Sequence, residues 1–265
     1  RVARERQLPG LSAWGRVADY RQYQLSQMAN VDIYFESPLS AEEILEFGFE
    51  NVAIATGSAW RRDGVARYHV VPMQISADMA IYTPDDLMAG NLPSGQVVIF
   101  DDDHYYMGGV LAELLATEGA NVTLFTPSAY VSEWTNNTLE QAAIHKRLVE
   151  LGVDIRLNRG IDAIKTDSVL AACTYSGRQE EIAAEAVVLV TSRLQNDDVW
   201  QSLKSRSNDW KTAGIRSIKV IGDAQAPGPI AWATYAGHRF ARELDEAEIG
   251  DALPFRREIA ALAKG

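Results

Sequence analysis

Apolar and polar positions alternate along this chain in a repeated order of short apolar run, small-residue turn and longer amphipathic stretch. The clearest case is Val97-Val98-Ile99-Phe100, an unbroken apolar run of the length and β-branched character of a strand buried on both faces. A turn follows, then Val110-Leu111-Ala112-Glu113-Leu114-Leu115-Ala116, which reads as an apolar helix stopped by Glu118-Gly119. Asn121-Val122-Thr123-Leu124-Phe125 is the next strand, so 97–125 forms one βαβ unit, whose strands pair in parallel with a right-handed crossover. A second helix over 139–151 leads through Gly152 into Val153-Asp154-Ile155-Arg156-Leu157.

The flanking segments carry weaker versions of the same pattern. Trp14, Val17, Tyr20, Gln24 and Leu25 fall at helical spacing, and Val31-Asp32-Ile33-Tyr34-Phe35 reads as extended. An acidic helix over 41–47 precedes Asn51-Val52-Ala53-Ile54, a predicted buried strand that ends in Ala55-Thr56-Gly57. Thr83-Pro84-Asp85-Asp86 is a helix start signal, with Gly90 beyond the end, which predicts a linker helix over 78–92. From Leu157 toward Val190 the period shortens, with turns at Asn158-Arg159-Gly160 and Ser176-Gly177, as in an antiparallel meander that closes on the buried strand Ala186-Val187-Val188-Leu189-Val190. Ile218-Lys219-Val220-Ile221 then reads as another buried strand; it ends in Gly222-Asp223, and after the loop Pro227-Gly228-Pro229 a helix is expected over 230–246.

This order predicts an α/β chain of two dinucleotide-binding-like domains, the second inserted into the first. The expected boundaries are 1–77 with 193–265 for one domain and 78–192 for the other. At 265 residues the chain has room for both cores. A net charge of −11 without a Lys/Arg cluster argues against nucleic acid or an anionic membrane as partner and favours a basic or neutral protein. No run reaches the roughly 18 apolar residues of a membrane span, and Arg1-Val2-Ala3-Arg4-Glu5-Arg6 lacks the apolar stretch of a signal peptide. The one cysteine, Cys173, cannot form an internal disulfide, and no Cys/His spacing points to zinc or an iron–sulfur cluster. Together these point to a reducing, cytoplasmic compartment. The chain does not begin with Met, which is read as the mark of a processed chain or a fragment.

The turn after Phe100 has the layout of a phosphate-binding loop and unusual residues in it: Asp101-Asp102-Asp103-His104-Tyr105-Tyr106-Met107-Gly108-Gly109. A strand running into a glycine turn and a helix presents backbone amides to a pyrophosphate. Carboxylates projecting from that turn would hold the backbone away from a phosphate and repel its charge. The turn is therefore read as a degenerate dinucleotide site. Two other readings stand beside it: the Asp residues cap the helix, or Asp101, Asp102, Asp103 and His104 ligate a hard cation. The next strand ends Thr126-Pro127-Ser128, with neither an acid for a ribose hydroxyl nor an Arg for a 2′-phosphate. Tyr105 and Tyr106 either form an exposed aromatic pair for a docking partner or fill the vacated crevice. His69, His104, His145 and His238 lie apart in the sequence, and no catalytic residue is assigned.

Thr56, Gly57, Gly222 and Asp223 each close a strand at the expected carboxyl edge of a sheet, where open α/β folds bind ligands. Their order around an inserted βαβ unit resembles the two-dinucleotide-domain flavoproteins of the disulfide-reductase type. Together with Val98-Ile99-Phe100-Asp101-Asp102-Asp103-His104-Tyr105-Tyr106-Met107-Gly108-Gly109 and Trp134-Thr135-Asn136-Asn137-Thr138, it is similar to the C-terminal half of the histamine, dimethylamine and trimethylamine dehydrogenases. Those are iron–sulfur flavoproteins related to 2,4-dienoyl-CoA reductase and Old Yellow Enzyme, and the similarity runs from Arg1 to about Glu258.

The resemblance implies a homodimeric parent oxidoreductase with FMN and a [4Fe–4S] cluster in an N-terminal barrel. It implies an ADP or FAD site to which Thr56, Gly57, Gly222 and Asp223 contribute, incomplete without the first phosphate loop. It also implies oxidative dealkylation or deamination of a small amine, with electrons leaving to an electron-transferring flavoprotein. The isolated chain is expected to be inactive, because the substrate-oxidising flavin would lie elsewhere. The rival expectations are an NAD(P)H-dependent reductase of the dienoyl-CoA type and a non-catalytic nucleotide-binding or docking module.

Overall fold

The computed structural model describes residues 1–244. The chain divides into two compact units, one of Arg1–Ile33 with Ala59–Leu194, the other of Tyr34–Ser58 with the residues from Gln195 onward.

The first unit is built on a five-stranded parallel sheet in the order Ala80–Tyr82, Ala186–Val190, Gln96–Asp101, Asn121–Thr126, Asp154–Leu157. Helices Tyr106–Thr117 and Gln141–Glu150 make the two crossovers expected of consecutive βαβ units. Side-chain alternation splits the strands between two cores. Val97 and Ile99 pack with Leu111 and Leu115 of the first crossover helix, whereas Val98 and Phe100 face Ile161, Val169 and Ala171. Those last residues belong to the predicted meander, Arg159–Ile164, Ser168–Cys173 and Gln179–Ala183, which pairs antiparallel. Cover on both faces explains why Ala186–Val190 is apolar and buried at every position.

Two expectations need correction here. The helix predicted over 78–92 is only Pro84–Met88, because Ala80–Tyr82 pairs with Ala186–Val190 as an edge strand. Thr83, extended as a residue before proline should be, caps that short helix in a box with Asp86. The domain boundaries also fall elsewhere. Gln74–Ile75 joins the meander sheet beside Arg159–Ile164, while Trp60, Leu8 and Leu11 lie in the same core as Val97 and Leu111. Residues 1–33 and 59–77 thus group with the central segment.

The second unit holds helices Ala41–Phe47, Asp198–Ser205 and Ile230–Arg242 and a two-stranded parallel sheet, Asn51–Ile54 beside Ser217–Val220. Its core is Ala41, Leu45, Ile54, Leu203, Ile215 and Ile218. Both strands were expected to be buried throughout; only Ile54 and Ile218 are, since a two-stranded sheet has its core on one side. Residues 31–35 form no strand, as no neighbouring strand supplies a ladder for them. The last four residues of the helix predicted to reach 246 include positions outside the described residues.

No helix among the described residues is long and apolar enough to cross a membrane.

Candidate functional site

In the first unit the parallel strand Gln96–Asp101 delivers the aspartates to the carboxyl edge of the sheet, as the sequence led us to expect. Their side chains do not project from it. The amides of Asp102 and Asp103 both donate to the Val190 carbonyl, at 2.9 and 3.1 Å, which folds the turn back onto the neighbouring strand. Asp101 is 0% exposed, and its Oδ1 accepts from the His104 amide at 3.1 Å. Asp102 is equally enclosed: Oδ2 accepts from the Tyr68 amide at 2.7 Å, and Oδ1 lies 3.2 Å from His104 Nε2. Of the three carboxylates only Asp103 is half-exposed. The three do not converge, and among the described residues no group of three or more His, Cys, Asp or Glu is placed to hold a metal ion.

The glycine that should admit a phosphate serves a different purpose. A Cβ on Gly108 would stand 2.3 Å from Asp101 Cγ, so this first-turn glycine makes room for a carboxyl group of the chain itself. Burial, with the charges of Asp103 and Asp102, pushes the Asp101 carboxyl up to about 7, against the pull of His104. His104 sits at φ +64°, and its Nδ1 is 3.3 Å from Thr126 Oγ1. Burial works against its imidazolium, but the Asp102 hydrogen bond and the Asp101 and Asp102 charges outweigh it and hold the His104 pKa above the usual histidine range.

A segment that the sequence did not single out closes over this edge. Arg67 Nη1 donates to the carbonyls of Asp102 and Asp103 at 2.9 and 2.8 Å, and its guanidinium lies 4.3 Å from the centroid of the Trp134 ring. The Trp134 amide in turn donates to the His104 carbonyl at 3.0 Å. Tyr68 lies over Gly160, where a Cβ would come within 2.1 Å of its ring, and meets Phe100 edge-on. His69 Nε2 is 2.6 Å from the Ile161 carbonyl. At the end of the second strand an acid does arrive from elsewhere: Glu133 accepts from Ser128 Oγ.

Tyr106 is not exposed. It is 7% accessible, meets Trp14 edge-on at 4.9 Å, and its hydroxyl donates to Glu140 and lies 3.0 Å from Thr138 Oγ1. The docking pair is thereby reduced to the half-buried Tyr105, whose ring rests on Tyr106. Gly109 admits Ile144 and Ser132, a packing role between the two crossover helices.

In the second unit the four residues predicted to touch a nucleotide come together. Thr56-Gly57 and Gly222-Asp223 follow the paired strands Asn51–Ile54 and Ser217–Val220, and the Ile221 amide donates to the Ile54 carbonyl at 2.9 Å. Gly57 at φ +81° has open space where a side chain would be, and Gly222 stands at φ +60°. Asp223 accepts from Ser58 Oγ at 3.2 Å and from the Gly228 amide at 3.1 Å. Asn196, absent from the sequence reading, clamps the first turn: its amide donates to the Gly57 carbonyl at 2.9 Å and its carbonyl accepts from Thr56 Oγ1. Asn196 stands 140 positions after Thr56 in the chain, so no local signal ties it to that turn.

Residues 82–173 match the family described as the OYE-like second alpha/beta domain, in agreement with the mixed α/β fold and its parallel sheet. The relatives define the comparison further. The chain is 32% identical to dimethylamine dehydrogenase of Hyphomicrobium sp. (strain x), over 95% of this chain and 38% of that protein. The structure of histamine dehydrogenase from Rhizobium sp. 4-9 matches all of this chain at 62% identity and a TM-score of 0.94, and 41% of that chain is covered. The 6-hydroxypseudooxynicotine amine oxidase from Pseudomonas geniculata N1 matches 89% of this chain at 41% identity and a TM-score of 0.85, covering 35% of its own. The chain therefore spans about two fifths of the length of these homologues.

Proposed function

We propose that this chain is the nucleotide-binding portion of an amine dehydrogenase-like oxidoreductase. On this reading it comprises two Rossmann-like domains: an adenine-nucleotide site in the second unit, and a dinucleotide crevice in the first that no longer takes a nicotinamide cofactor. The observation that carries it is the seat of Asp101 on Gly108. The chain's own carboxyl occupies the space in the first helical turn that a phosphate-binding loop leaves free, and Arg67, Tyr68 and Trp134 cover the strand ends above it. This differs from repulsion by projecting carboxylates: the crevice is filled rather than merely charged. The homology to dimethylamine and histamine dehydrogenases supports the reaction class, oxidation of a small amine.

The residues of the second unit fit the ADP moiety of ADP or FAD. Gly57 leaves backbone open to a phosphate or ribose, Gly222 turns the second strand end at φ +60° against Ala233, and Thr56 and Asp223 place a hydroxyl and a carboxylate at the same sheet edge. Such a group would supply affinity and position there. The [4Fe–4S] cluster that the resemblance implies, with FMN, in an N-terminal barrel does not fit this chain's residues: a cluster takes several thiolates and the chain has one cysteine. With no nicotinamide site, electrons would pass to a protein acceptor of the electron-transferring flavoprotein kind, and the enzyme would work as a homodimer in the cytoplasm.

The test is calorimetric titration with NADH and, separately, with ADP. Heat with ADP and none with NADH is the expected result. Micromolar NADH binding would overturn the reading in favour of an NAD(P)H-dependent reductase; absence of ADP binding would remove the second-unit site.

A further inference from the structure

The strongest surface feature of the second unit lies away from its nucleotide edge. Between Tyr34 and Glu50 the chain carries five glutamates (Glu36, Glu42, Glu43, Glu46, Glu50) and no Lys, Arg or His; Glu50 pairs with Arg216 at 3.3 Å and Glu43 is taken up in the cap of its helix, which leaves Glu36, Glu42 and Glu46 as the acidic groups. The same stretch exposes four large aromatic rings, Tyr34 at 79%, Phe35 at 70%, Phe47 at 62% and Phe49 at 66%. Single exposed apolar side chains are ordinary, whereas a group of aromatics ringed by one sign of charge marks a contact surface.

Two of these rings are held in place before any partner arrives. The helix Ala41–Phe47 is tied at its start by a reciprocal Ser40–Glu43 capping box and along its inner face by Ala41 and Leu45 in the core. Gly48 ends it at φ +64°, and a Cβ there would come 2.6 Å from the Ala213 carbonyl, so the bend is available only to glycine. Past the bend the Glu50 carbonyl accepts from the amides of Arg216 and Ser217 at 2.7 and 3.1 Å. This leaves the Phe47 and Phe49 rings stacked, 6.0 Å apart with planes 19° from parallel. Rings ordered in advance lose little freedom on binding, which is what an anchor requires.

We infer that the stacked Phe47 and Phe49, with Glu42 and Glu46 of the helix Ala41–Phe47, form a docking surface for a protein whose contact face is an apolar cleft rimmed by Lys and Arg. The charge decides the partner. A second copy of this chain would set like charges against each other, and nucleic acid or an anionic lipid surface would be repelled. This inference is independent of the nucleotide reading and stands or falls separately.

The probe is an amphipathic helical peptide of leucine and lysine, titrated by fluorescence anisotropy at low and high salt, with oligolysine as a charge-only comparison. The expected result is leucine–lysine binding that weakens with salt and falls about tenfold or more in Phe47→Ser/Phe49→Ser and in Glu42→Gln/Glu46→Gln. The control Tyr20→Ser/Tyr23→Ser, which removes exposed rings from the helix Gly15–Ser26, should leave binding within about twofold. Circular dichroism checks that each variant is folded. Absence of binding, equal binding of oligolysine, or no effect of the phenylalanine pair overturns the inference. So does a dimer in sedimentation that Phe47→Ser/Phe49→Ser dissolves, since the occupant would then be a second copy.

Discussion

The carboxyl of Asp101 and the bare Cα of Gly108 are two halves of one fit: a methyl group on Gly108 would stand 2.3 Å from Asp101 Cγ. Gly108→Ala is therefore expected to destabilise the chain by about 1–3 kcal/mol through overpacking, although Ala is the better helix former. In an Asp101→Gly background the same substitution should cost much less. Urea unfolding of the two single variants and the double variant measures that coupling, and strict additivity would show that the contact does not matter.

Stability should fall as pH rises toward 8. Asp101 titrates near 7 in the folded chain and near 4 when unfolded, so the native state holds a proton that the unfolded chain has released. Folding is favoured below that window and loses free energy as pH rises through it, by an amount on the order of a few kcal/mol at most. His104 acts in the same sense: its imidazolium, stabilised by Asp102, favours folding at low pH and is lost as pH passes its raised value. Urea midpoints measured between pH 5 and 8 should decline, and Asp101→Asn should flatten the decline. A wild-type midpoint that rises with pH contradicts this assignment.

Arg67 joins two turn carbonyls to the Trp134 ring. Arg67→Ala should cost about 1.5–3 kcal/mol and speed amide hydrogen exchange at Asp102 to His104. Arg67→Lys should recover only part of this, because an ammonium cannot stack its charge over an indole as a planar guanidinium does. Full rescue by lysine would reduce the role of Arg67 to its charge.

Gly57→Val should strain the turn after Asn51–Ile54, since φ +81° disfavours a β-branched residue whatever space surrounds it. ADP affinity in the calorimeter is expected to drop about tenfold or more, with the first unit's unfolding unchanged. Unchanged affinity would place the nucleotide elsewhere.

Cys173 offers a chemical reading of the meander. Hydrogen bonds from the Ser176 hydroxyl and from the Ser176 and Tyr175 amides bring its thiol down to about 7. Its alkylation rate should therefore rise with a midpoint near that pH, and Ser176→Ala should move the midpoint up toward the ordinary thiol value. A midpoint that Ser176→Ala leaves in place would rule out the hydroxyl as the cause.

Much of the strand-end geometry of the second unit was legible because each of its parts is local. A strand that ends in Thr-Gly or Gly-Asp carries its own turn chemistry, and parallel pairing then aligns the two ends. The aspartate turn was legible as a position and not as a structure. Nothing in Asp101-Asp102-Asp103-His104 states that two of the carboxyls turn inward, because the Tyr68 amide that bonds Asp102 and the Val190 carbonyl that takes the amides of Asp102 and Asp103 come from remote segments. The same holds for Tyr106, which takes its place against Trp14, and for Arg67, which has no signature until Trp134 lies beneath it.

What the chain's sequence determined by itself is the periodic part: apolar strands at Val97 to Phe100 and Ala186 to Val190, the crossover helices, the antiparallel meander, and the positions at which strands end in turns. Hydrophobic period and turn residues act over a few neighbours, so they can be read from a linear string. The tertiary structure alone decided whether each turn is open or filled. Burial and charge state depend on groups far apart in sequence, and one set of contacts of this kind, Asp101 on Gly108 under the cover of Arg67 and Tyr68, closes the turn after Phe100.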